Sequence, residues 1–380
     1  MSYYEETKTQ SIKPRGLLAF FHLDTTLFLL LLAVCACGLT ILYSASGGNF
    51  AVVQAQAVRM GIGIFAMLII AFTPPYVIKS LTPYFFAISI VALVLIYFIG
   101  VEVNGSHRWL DLKVIRFQPS ELMKLAAPMM VAYYLSNRNL PPSFLVTVAA
   151  LIITVAPFAL VLYQPDLGTA LLILFACITA IFFSGLKWRY IILAGALVAV
   201  ALPMVWEFGL QEYQKGRILT LLDPESDPLG KGYQIIQSKI AIGSGGMYGK
   251  GWFNSTQASL KFLPESSTDF IYAITAEEFG FVGITILLSL YLLIILRSFY
   301  LINCARDPFN KLIGAAITSC FFFYIFVNAG MVSGLLPIVG VPLPFISYGG
   351  TSVVTLFLSF GIIMSIFAHP EPKKEKEYTT

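Results

Sequence analysis

The sequence predicts an all-α integral membrane protein, a polytopic bundle of ten transmembrane helices with a large extracytoplasmic loop between helices 7 and 8. Three observations lead to this prediction: the composition, the length of the apolar runs, and the placement of lysine and arginine. Of the 380 residues, 58% are apolar and only 12% are charged, and the mean hydropathy is +0.81. Average domains of soluble proteins carry about 25% charged residues. The composition therefore excludes an ordinary soluble protein.

Ten apolar runs follow one another along the chain. Each approaches the roughly 20 residues that a helix needs to cross a hydrocarbon core of about 30 Å. The predicted spans are residues 24–44, 54–72, 77–100, 119–136, 143–162, 167–184, 189–206, 271–297, 309–333 and 349–368. Together they form one transmembrane domain, 24–368, between an N-terminal tail, 1–23, and a C-terminal tail, 369–380.

Basic residues predict which side of the membrane each loop faces. An even number of spans puts both tails on one side, and cytoplasmic loops carry an excess of lysine and arginine. The tails and the loops on their side hold Lys8, Lys13, Arg15, Lys79, Arg138, Lys187, Arg189, Arg297, Arg306, Lys311, Lys373, Lys374 and Lys376. The short loops opposite hold only Arg108, Lys113 and Arg116. Both termini are therefore predicted to be cytoplasmic.

Residues 207–270 interrupt the apolar runs and form the predicted large extracytoplasmic loop. A polar loop longer than about 12–15 residues is usually functional or disordered. Glycine-rich turns and aromatic residues within 243–270 argue against plain disorder, so we interpret this segment as the working part of the protein. Its last charged residue, Asp269, is either a helix cap or a functional acid. Glu277 and Glu278 follow within the next span, on either a solvated or a paired face.

Charged side chains inside predicted spans are costly, and they indicate functional positions. Glu121 and Lys124 lie three residues apart near the outer end of the fourth span, either as an interfacial salt bridge or as part of a site. Asp166 opens the sixth span at the same level, either as a cap or as a member of a shared polar pocket. Arg59, in the second span, either snorkels to the interface or joins such a site.

Two further segments carry features of a site. The outer loop 104–117 holds Arg108 and Arg116 beside Trp109. Loops with tryptophan often rest at the membrane interface, but two arginines also suit the phosphate of a lipid headgroup. Residues 337–352 contain prolines and glycines without charge. Such backbone either lines a cavity within the protein or makes a tight hairpin between two spans.

The sequence also argues against several classes of protein. The net charge of +4 is spread over the loops and gives no basic face for nucleic acid. Four of the five cysteines lie in apolar runs, which indicates buried thiols rather than disulfides. The three histidines lack the spacing of a zinc site, and no internal repeat supports an inverted-repeat transporter.

Taken together, the motifs of the chain resemble the SEDS family (shape, elongation, division and sporulation), integral-membrane peptidoglycan glycosyltransferases. The motifs are RWLDL (108–112), RFQPSE (116–121) followed by Lys124, QPDLGT (164–169), LDPESDPLGKGYQIIQSKIAIGSGG (222–246), GKGW (249–252), TQASLKFLPE (256–265), TDFIYA (268–273), EEFG (277–280) and PLPFISYGG (342–350). The sequences of these motifs are more similar to those of RodA, the elongation branch, than to those of FtsW, the division branch. It departs from that branch at Ser255 and Ser267, where glycine and histidine are frequent.

The resemblance implies an activity, a location and partners. The substrate would be lipid II, the undecaprenyl-pyrophosphate-linked disaccharide pentapeptide, polymerised into glycan strands at the outer face of the bacterial cytoplasmic (inner) membrane. The partner would be a cognate class B penicillin-binding protein, a transpeptidase of the elongation machinery, and no nucleic acid is implied. The family's essential loop aspartate maps onto Asp269. Its membrane acid–base pair maps onto Glu121 and Lys124, and its span-six acid onto Asp166.

A direct displacement with inversion follows from the α-linked donor and the β-linked product that the family implies. We predict that Asp269 is the general base for the attacking 4-hydroxyl. The leaving undecaprenyl pyrophosphate needs positive charge, from Lys124, Arg108, Arg116, Arg217 or a divalent cation such as Mg²⁺ or Mn²⁺. No tightly bound cofactor is expected. The alternatives are a lipid II flippase or other transporter, a division-type (FtsW-like) polymerase, and a non-catalytic scaffold.

Overall fold

The structure is a computed structural model that describes residues 23–103, 106–111, 116–209, 211–227, 230–260 and 262–369. Nearly all of both predicted tails lies outside these residues. Within these described residues, eight helices are long and apolar enough to cross a membrane: Thr25–Ala45 (α1), Phe50–Phe72 (α2), Pro75–Ile99 (α3), Phe144–Tyr163 (α5), Trp188–Gly209 (α7 and a π-helical turn), Ile271–Asn303 (α11), Pro308–Val332 (α12) and Thr351–Ala368 (α13). A multi-pass membrane fold built mainly of helices is thereby confirmed.

The predicted fourth and sixth spans are also helices. They are α4 (Pro119–Ser136) and α6 (Leu167–Phe183), but they are more polar or shorter than the other eight. α4 carries the charged pair Glu121 and Lys124, and α6 has 17 residues. Both are packed well inside the protein, and most of their side chains are buried. In contrast, α7 has no buried residue and lies at the periphery.

The segment predicted as one large loop contains helices, which corrects the sequence interpretation. After the π-helical turn at Val205–Gly209, the structure has α8 (Glu212–Leu222), a 3₁₀ turn (Pro224–Ser226), α9 (Lys231–Gly245) and α10 (Thr256–Ser259). α9 buries Ile235, Ser238 and Ala241. The Ser238 hydroxyl donates to the carbonyl of Val332, 2.8 Å away, at the end of α12. One apolar face therefore suffices to hold this polar helix against the bundle.

A small sheet in the outer loop before α4 was not predicted. Strands β1 (Val101–Val103), β2 (Ser106–Asp111) and β3 (Arg116–Phe117) pair antiparallel in the order β1-β2-β3. The pairing holds β2 above the start of α4.

The glycine-rich segment after α9 docks into a break in α11. Gly280 has φ +64°, and the helix is interrupted there. The amides of Lys250 and Gly251 donate to the carbonyls of Glu277 and Glu278, at 3.0 Å in both cases. These bonds serve carbonyls that the interrupted helix leaves without their usual partners. A Cβ at Gly280 would collide with the backbone nitrogen of Gly249, so both positions require glycine.

Glu277 anchors the same segment through its side chain and is fully buried. Its carboxylate accepts hydrogen bonds from Lys250 Nζ at 2.6 Å and from the hydroxyl and amide of Thr256 at 2.6 and 3.0 Å. Ser255 and the amide of Gln257 also donate to it. The paired interpretation of Glu277 is therefore correct, and the solvated one is wrong. The carboxylate fastens residues 250–257 to α11.

The two helices α12 and α13 are joined by an irregular segment, residues 333–350. It is held inside the protein: Tyr291 Oη donates to the carbonyl of Pro344 at 2.6 Å, and Phe345 is buried with φ +62°. Gln56 on α2 donates to the carbonyl of Ser347 at 3.2 Å. The segment thus meets the condition for irregular backbone at membrane depth, because its polar groups bond to protein.

Candidate active site

A cavity of about 540 Å³ lies where the irregular segment 333–350 meets α4, α6, α8 and the start of α11. Its charged lining residues are Arg108, Glu121, Lys124, Asp166, Arg217, Glu265 and Asp269. Six of the seven site residues predicted from the sequence are in this set. The seventh, Arg116, begins β3, and its side chain lies outside the described part of the structure. Residues far apart in sequence thus line one cavity, and their chemical roles stay predictions.

Asp269 is half-buried at the cavity wall, two residues before α11. The side-chain amide of Asn328 donates to its carbonyl at 2.9 Å and to the carbonyl of Val341 at 2.7 Å. Gly340, with φ +73°, faces the carboxylate closely: a Cβ there would lie 3.4 Å from Asp269 Oδ2. One asparagine therefore ties the loop aspartate to the irregular segment, and a glycine leaves room beside its carboxylate.

Two more hydrogen bonds fix the chain just before Asp269. The Ser347 hydroxyl donates to the carbonyl of Thr268 at 2.6 Å, and the amide of Tyr348 donates to the carbonyl of Ser267 at 2.8 Å. All of these acceptors are main-chain atoms. The position of the chain just before Asp269 is therefore set by the PLPFISYGG segment of the sequence, which also lines the cavity.

Glu121 and Lys124 form a salt bridge of 2.7 Å, and their side chains are only 8% and 5% exposed. The Lys124 ammonium also lies 5.0 Å from the centre of the Tyr324 ring, a cation–π contact. Glu121 Oε2 is buried and accepts no hydrogen bond in the described structure. The predicted salt bridge is present, and the pair also lines the cavity, so its part in a site stays a prediction.

Asp166 likewise serves as a cap and as part of the cavity. Its Oδ1 accepts from the amide of Thr169 at 3.2 Å, which caps α6. Its Oδ2 accepts from Gln118 Nε2 at 3.1 Å and lies 3.8 Å from Arg108 Nη1. Arg108 Nε donates to the carbonyl of Gln164 at 2.9 Å. Strand β2 and the start of α6 are thus joined at the cavity.

Several lining residues were missed by the sequence analysis. Glu265, Gln118 and Gln234 line the cavity, and the ring of Tyr324 supports Lys124. Glu265 belongs to the FLPE motif, four residues before Asp269, which is a signal that could have identified it. A tyrosine in an apolar run, such as Tyr324, gives no such signal.

Arg59 does not snorkel towards the membrane interface. Its guanidinium stacks on the ring of Tyr348, 4.6 Å from the ring centre, and Tyr348 lines the cavity. Arg59 thus supports the cavity wall from behind, although it is not a lining residue itself.

The charges of the described lining do not by themselves neutralise a pyrophosphate. The three cations Arg108, Lys124 and Arg217 face four carboxylates, so the balance is 3 − 4 = −1 with each group ionised. No group of three or more histidine, cysteine, aspartate or glutamate residues in the described chain could hold a metal ion by itself. A cation bound here would need ligands from the substrate as well.

Comparison with known proteins identifies the family. The family model described as "Cell cycle protein", named for FtsW, RodA and SpoVE, matches residues 19–371. The chain is 47% identical over 348 residues to the peptidoglycan glycosyltransferase MrdB of Escherichia coli, covering 92% of this chain and 94% of MrdB. It is 35% identical to a probable peptidoglycan glycosyltransferase FtsW of Thiomicrospira cyclica, covering 90% and 91%.

Two solved structures share the fold. One, described as the structural coordination of polymerization and crosslinking by a peptidoglycan synthase complex, aligns with a TM-score of 0.80 at 32% identity, covering 91% of this chain and 97% of that one. The rod shape determining protein RodA of Thermus thermophilus aligns with a TM-score of 0.70 at 27% identity, covering 92% and 98%. With a family match that spans nearly the whole chain, this protein belongs to the FtsW, RodA and SpoVE family.

Proposed function

We propose that this protein is a peptidoglycan glycosyltransferase that polymerises lipid II into glycan strands during cell elongation. The enzyme class rests on the 47% identity to MrdB over nearly all of both chains. The elongation role is favoured because the identity to the division protein FtsW is lower, 35%. The observation that carries the mechanism is the single cavity in which Asp269 shares a lining with Lys124, Arg108 and Arg217.

Ten membrane spans, with both termini in the cytoplasm, are part of the proposal. The eight long apolar helices together with α4 and α6 make this number. Most side chains of α4 are buried within the protein, so α4 needs less hydropathy than a lipid-facing span. α6 is apolar and differs from the other spans only in its length of 17 residues. The cavity lies at the ends of α4, α6 and α11 that the distribution of lysine and arginine assigns to the outer side. The substrate headgroup would reach the cavity there.

The chemistry is one displacement at the anomeric carbon of the donor sugar. The acceptor 4-hydroxyl oxygen forms the new bond to this carbon, and the bond to the pyrophosphate oxygen breaks with inversion. Asp269 takes the hydroxyl proton as it attacks, and undecaprenyl pyrophosphate leaves with the bonding electrons. The side chain of Asp269 is half-buried and lines the cavity, and main-chain hydrogen bonds fix its backbone. A general base that is held in position before the substrate binds is suited to this reaction.

Positive charge around the leaving group would come from the protein and from a divalent cation. Lys124 and Arg217 line the cavity, and Arg108 joins them from β2. Because the lining carries one more carboxylate than cation, a Mg²⁺ or Mn²⁺ ion arriving with the pyrophosphate would offset part of the negative charge. The four carboxylates of the lining, Glu121, Asp166, Glu265 and Asp269, are the groups that could contribute a ligand. When bound, the ion would withdraw charge from the leaving phosphates.

A class B penicillin-binding protein is the proposed partner, which would crosslink the strands that this protein makes. The TM-score of 0.80 to a chain from a complex that coordinates polymerization and crosslinking supports this pairing.

The test is polymerisation of lipid II by the purified protein with its partner. Asp269→Asn keeps the size and polarity of the side chain but removes the base, so strand synthesis should fall by about 10²–10⁴-fold. Asp223→Asn is the matched control, because Asp223 is exposed at the end of α8 and does not line the cavity. Wild-type synthesis by Asp269→Asn and Asp269→Ala would exclude Asp269 as the base. Movement of labelled lipid II across vesicles with no glycan product would favour the flippase alternative.

A further inference from the structure

Residues 246–254, which lie between α9 and α10, form an apolar tip. Four large side chains of the tip are exposed in the described structure: Met247 by 59%, Tyr248 by 82%, Trp252 by 49% and Phe253 by 47%. Monomeric proteins rarely leave such a cluster in water without a function. The proposed transfer chemistry does not use the tip, and none of its residues lines the cavity.

The position of the tip along α1 indicates its depth. Trp252 Nε1 donates to the carbonyl of Thr40 at 3.2 Å, and the Trp252 ring packs on Tyr43, with centroids 6.1 Å apart. Thr40 lies on an exposed face of α1, five residues before the helix ends at Ala45. At 1.5 Å per residue, Thr40 is about 7.5 Å below that end. Because the 21 residues of α1 span about 32 Å, its end marks the membrane boundary.

The tip is also held against α11, whose 33 residues span about 50 Å and extend beyond a hydrocarbon core of about 30 Å. The amide of Gly251 donates to the carbonyl of Glu278, seven residues after α11 begins at Ile271, which is about 10 Å along the axis. The tip is therefore held beside two helices, and its depth below the membrane boundary follows from the contact with α1. An apolar groove of about 550 Å³ continues from Gly246 down α11 as far as Leu292, without a charged lining residue.

The charge of the tip is also compatible with lipid. Lys250 is the one charged residue within 246–254, and its ammonium lies 2.6 Å from the buried carboxylate of Glu277. A paired charge costs far less at membrane depth than an isolated one. The remaining tip residues are glycine, an asparagine and the four large side chains. Tryptophan and tyrosine beside apolar residues are typical of the boundary between headgroups and acyl chains.

We propose that residues 246–254 insert into the outer leaflet of the bilayer and anchor the segment that carries Asp269 at a fixed depth. The occupant of this surface is lipid at the level where headgroups meet acyl chains. Docking in the break of α11 holds the tip rigid, so insertion positions the following residues up to the cavity. The inference rests on the membrane fold and does not depend on the transfer chemistry, since insertion can be measured without substrate.

Quenching of Trp252 fluorescence by brominated lipid tests the insertion. Trp109→Phe, Trp188→Phe and Trp206→Phe together leave Trp252 as the only tryptophan. In vesicles of phosphatidylcholine brominated at carbons near the headgroup, its emission should fall about twofold relative to unbrominated vesicles. Aqueous iodide should quench it weakly. The difference between the wild type and Trp252→Phe gives the same quantity if the triple variant does not fold.

Two controls make the result decisive. A protein that keeps only Trp188, which is 72% exposed at the start of an apolar span, reports that brominated lipid reaches tryptophan. Met247→Glu with Tyr248→Glu adds two charges to the tip and should reduce the quenching of Trp252 by lipid. Strong quenching of Trp252 by iodide but not by lipid, while Trp188 responds, would overturn the proposal. Protection from both quenchers would also overturn it, because protein would then cover the tip.

Discussion

The salt bridge between Glu121 and Lys124 allows a test that separates charge balance from substrate binding. The atoms are 2.7 Å apart, and the side chains are 8% and 5% exposed. Removing one partner of a buried pair leaves an unpaired charge and costs about 3–5 kcal/mol of unfolding free energy. Water in the adjoining cavity can solvate that charge, so we expect the lower limit, about 3 kcal/mol, for Lys124→Met and for Glu121→Gln.

The double variant distinguishes the two roles of the pair. Glu121→Gln with Lys124→Met leaves no unpaired charge, so most of the lost unfolding free energy should return. Polymerisation should not return, because the ammonium that would face the leaving pyrophosphate is absent. Loss of one such charge-stabilising group typically costs about 10²–10³-fold in turnover. Stability and activity should therefore respond in different ways to the second substitution.

Thermal unfolding in detergent and glycan synthesis from lipid II measure the two quantities on the same preparations. Glu212 and Lys215 on α8 provide a matched control, since they have the same spacing but a distance of 3.4 Å and a Glu212 side chain that is 91% exposed. Their single variants should change the unfolding free energy by less than about 1 kcal/mol. Wild-type synthesis by the double variant at the buried pair would refute the assignment of both residues to substrate binding.

Two further predictions concern the break in α11 and the divalent cation. Gly280→Ala should destabilise the protein by at least about 2 kcal/mol, because φ is +64° and the new Cβ would collide with the docked segment. Gly195→Ala, in open space on α7, should be neutral or slightly stabilising, and equal melting of the two variants would contradict the docking. Chelation with EDTA should lower lipid II polymerisation, and added Mg²⁺ or Mn²⁺ should restore it. Unchanged synthesis in EDTA would argue against the cation.

The positions of the membrane-spanning helices were predictable because a helix that crosses the hydrocarbon core needs an apolar run of about 20 residues. α4 begins and ends at the predicted residues 119 and 136, and α2 begins at Phe50 instead of residue 54. The helices α8 and α9 were missed, since a short amphipathic helix at a membrane surface has the composition of a polar loop. The strands of the small sheet were missed because they are two to six residues long and are defined only by their pairing.

The candidate site was predictable in its residue types but not in its construction. Charges at the outer ends of spans indicated Glu121, Lys124 and Asp166, and the family resemblance indicated Asp269. Nothing in the sequence pattern revealed that Asn328, in the middle of an apolar run, bonds to the carbonyl of Asp269. Such contacts join residues about 60 positions apart, and local periodicity carries no information about them.

The main-chain bonds beside the candidate base have a consequence for how the protein can diverge. Tyr348 bonds to the carbonyl of residue 267, not to its side chain. A different side chain at position 267 would therefore leave that bond intact. Natural variation can retune the surroundings of the carboxylate one side chain at a time, while the scaffold beneath stays unaltered.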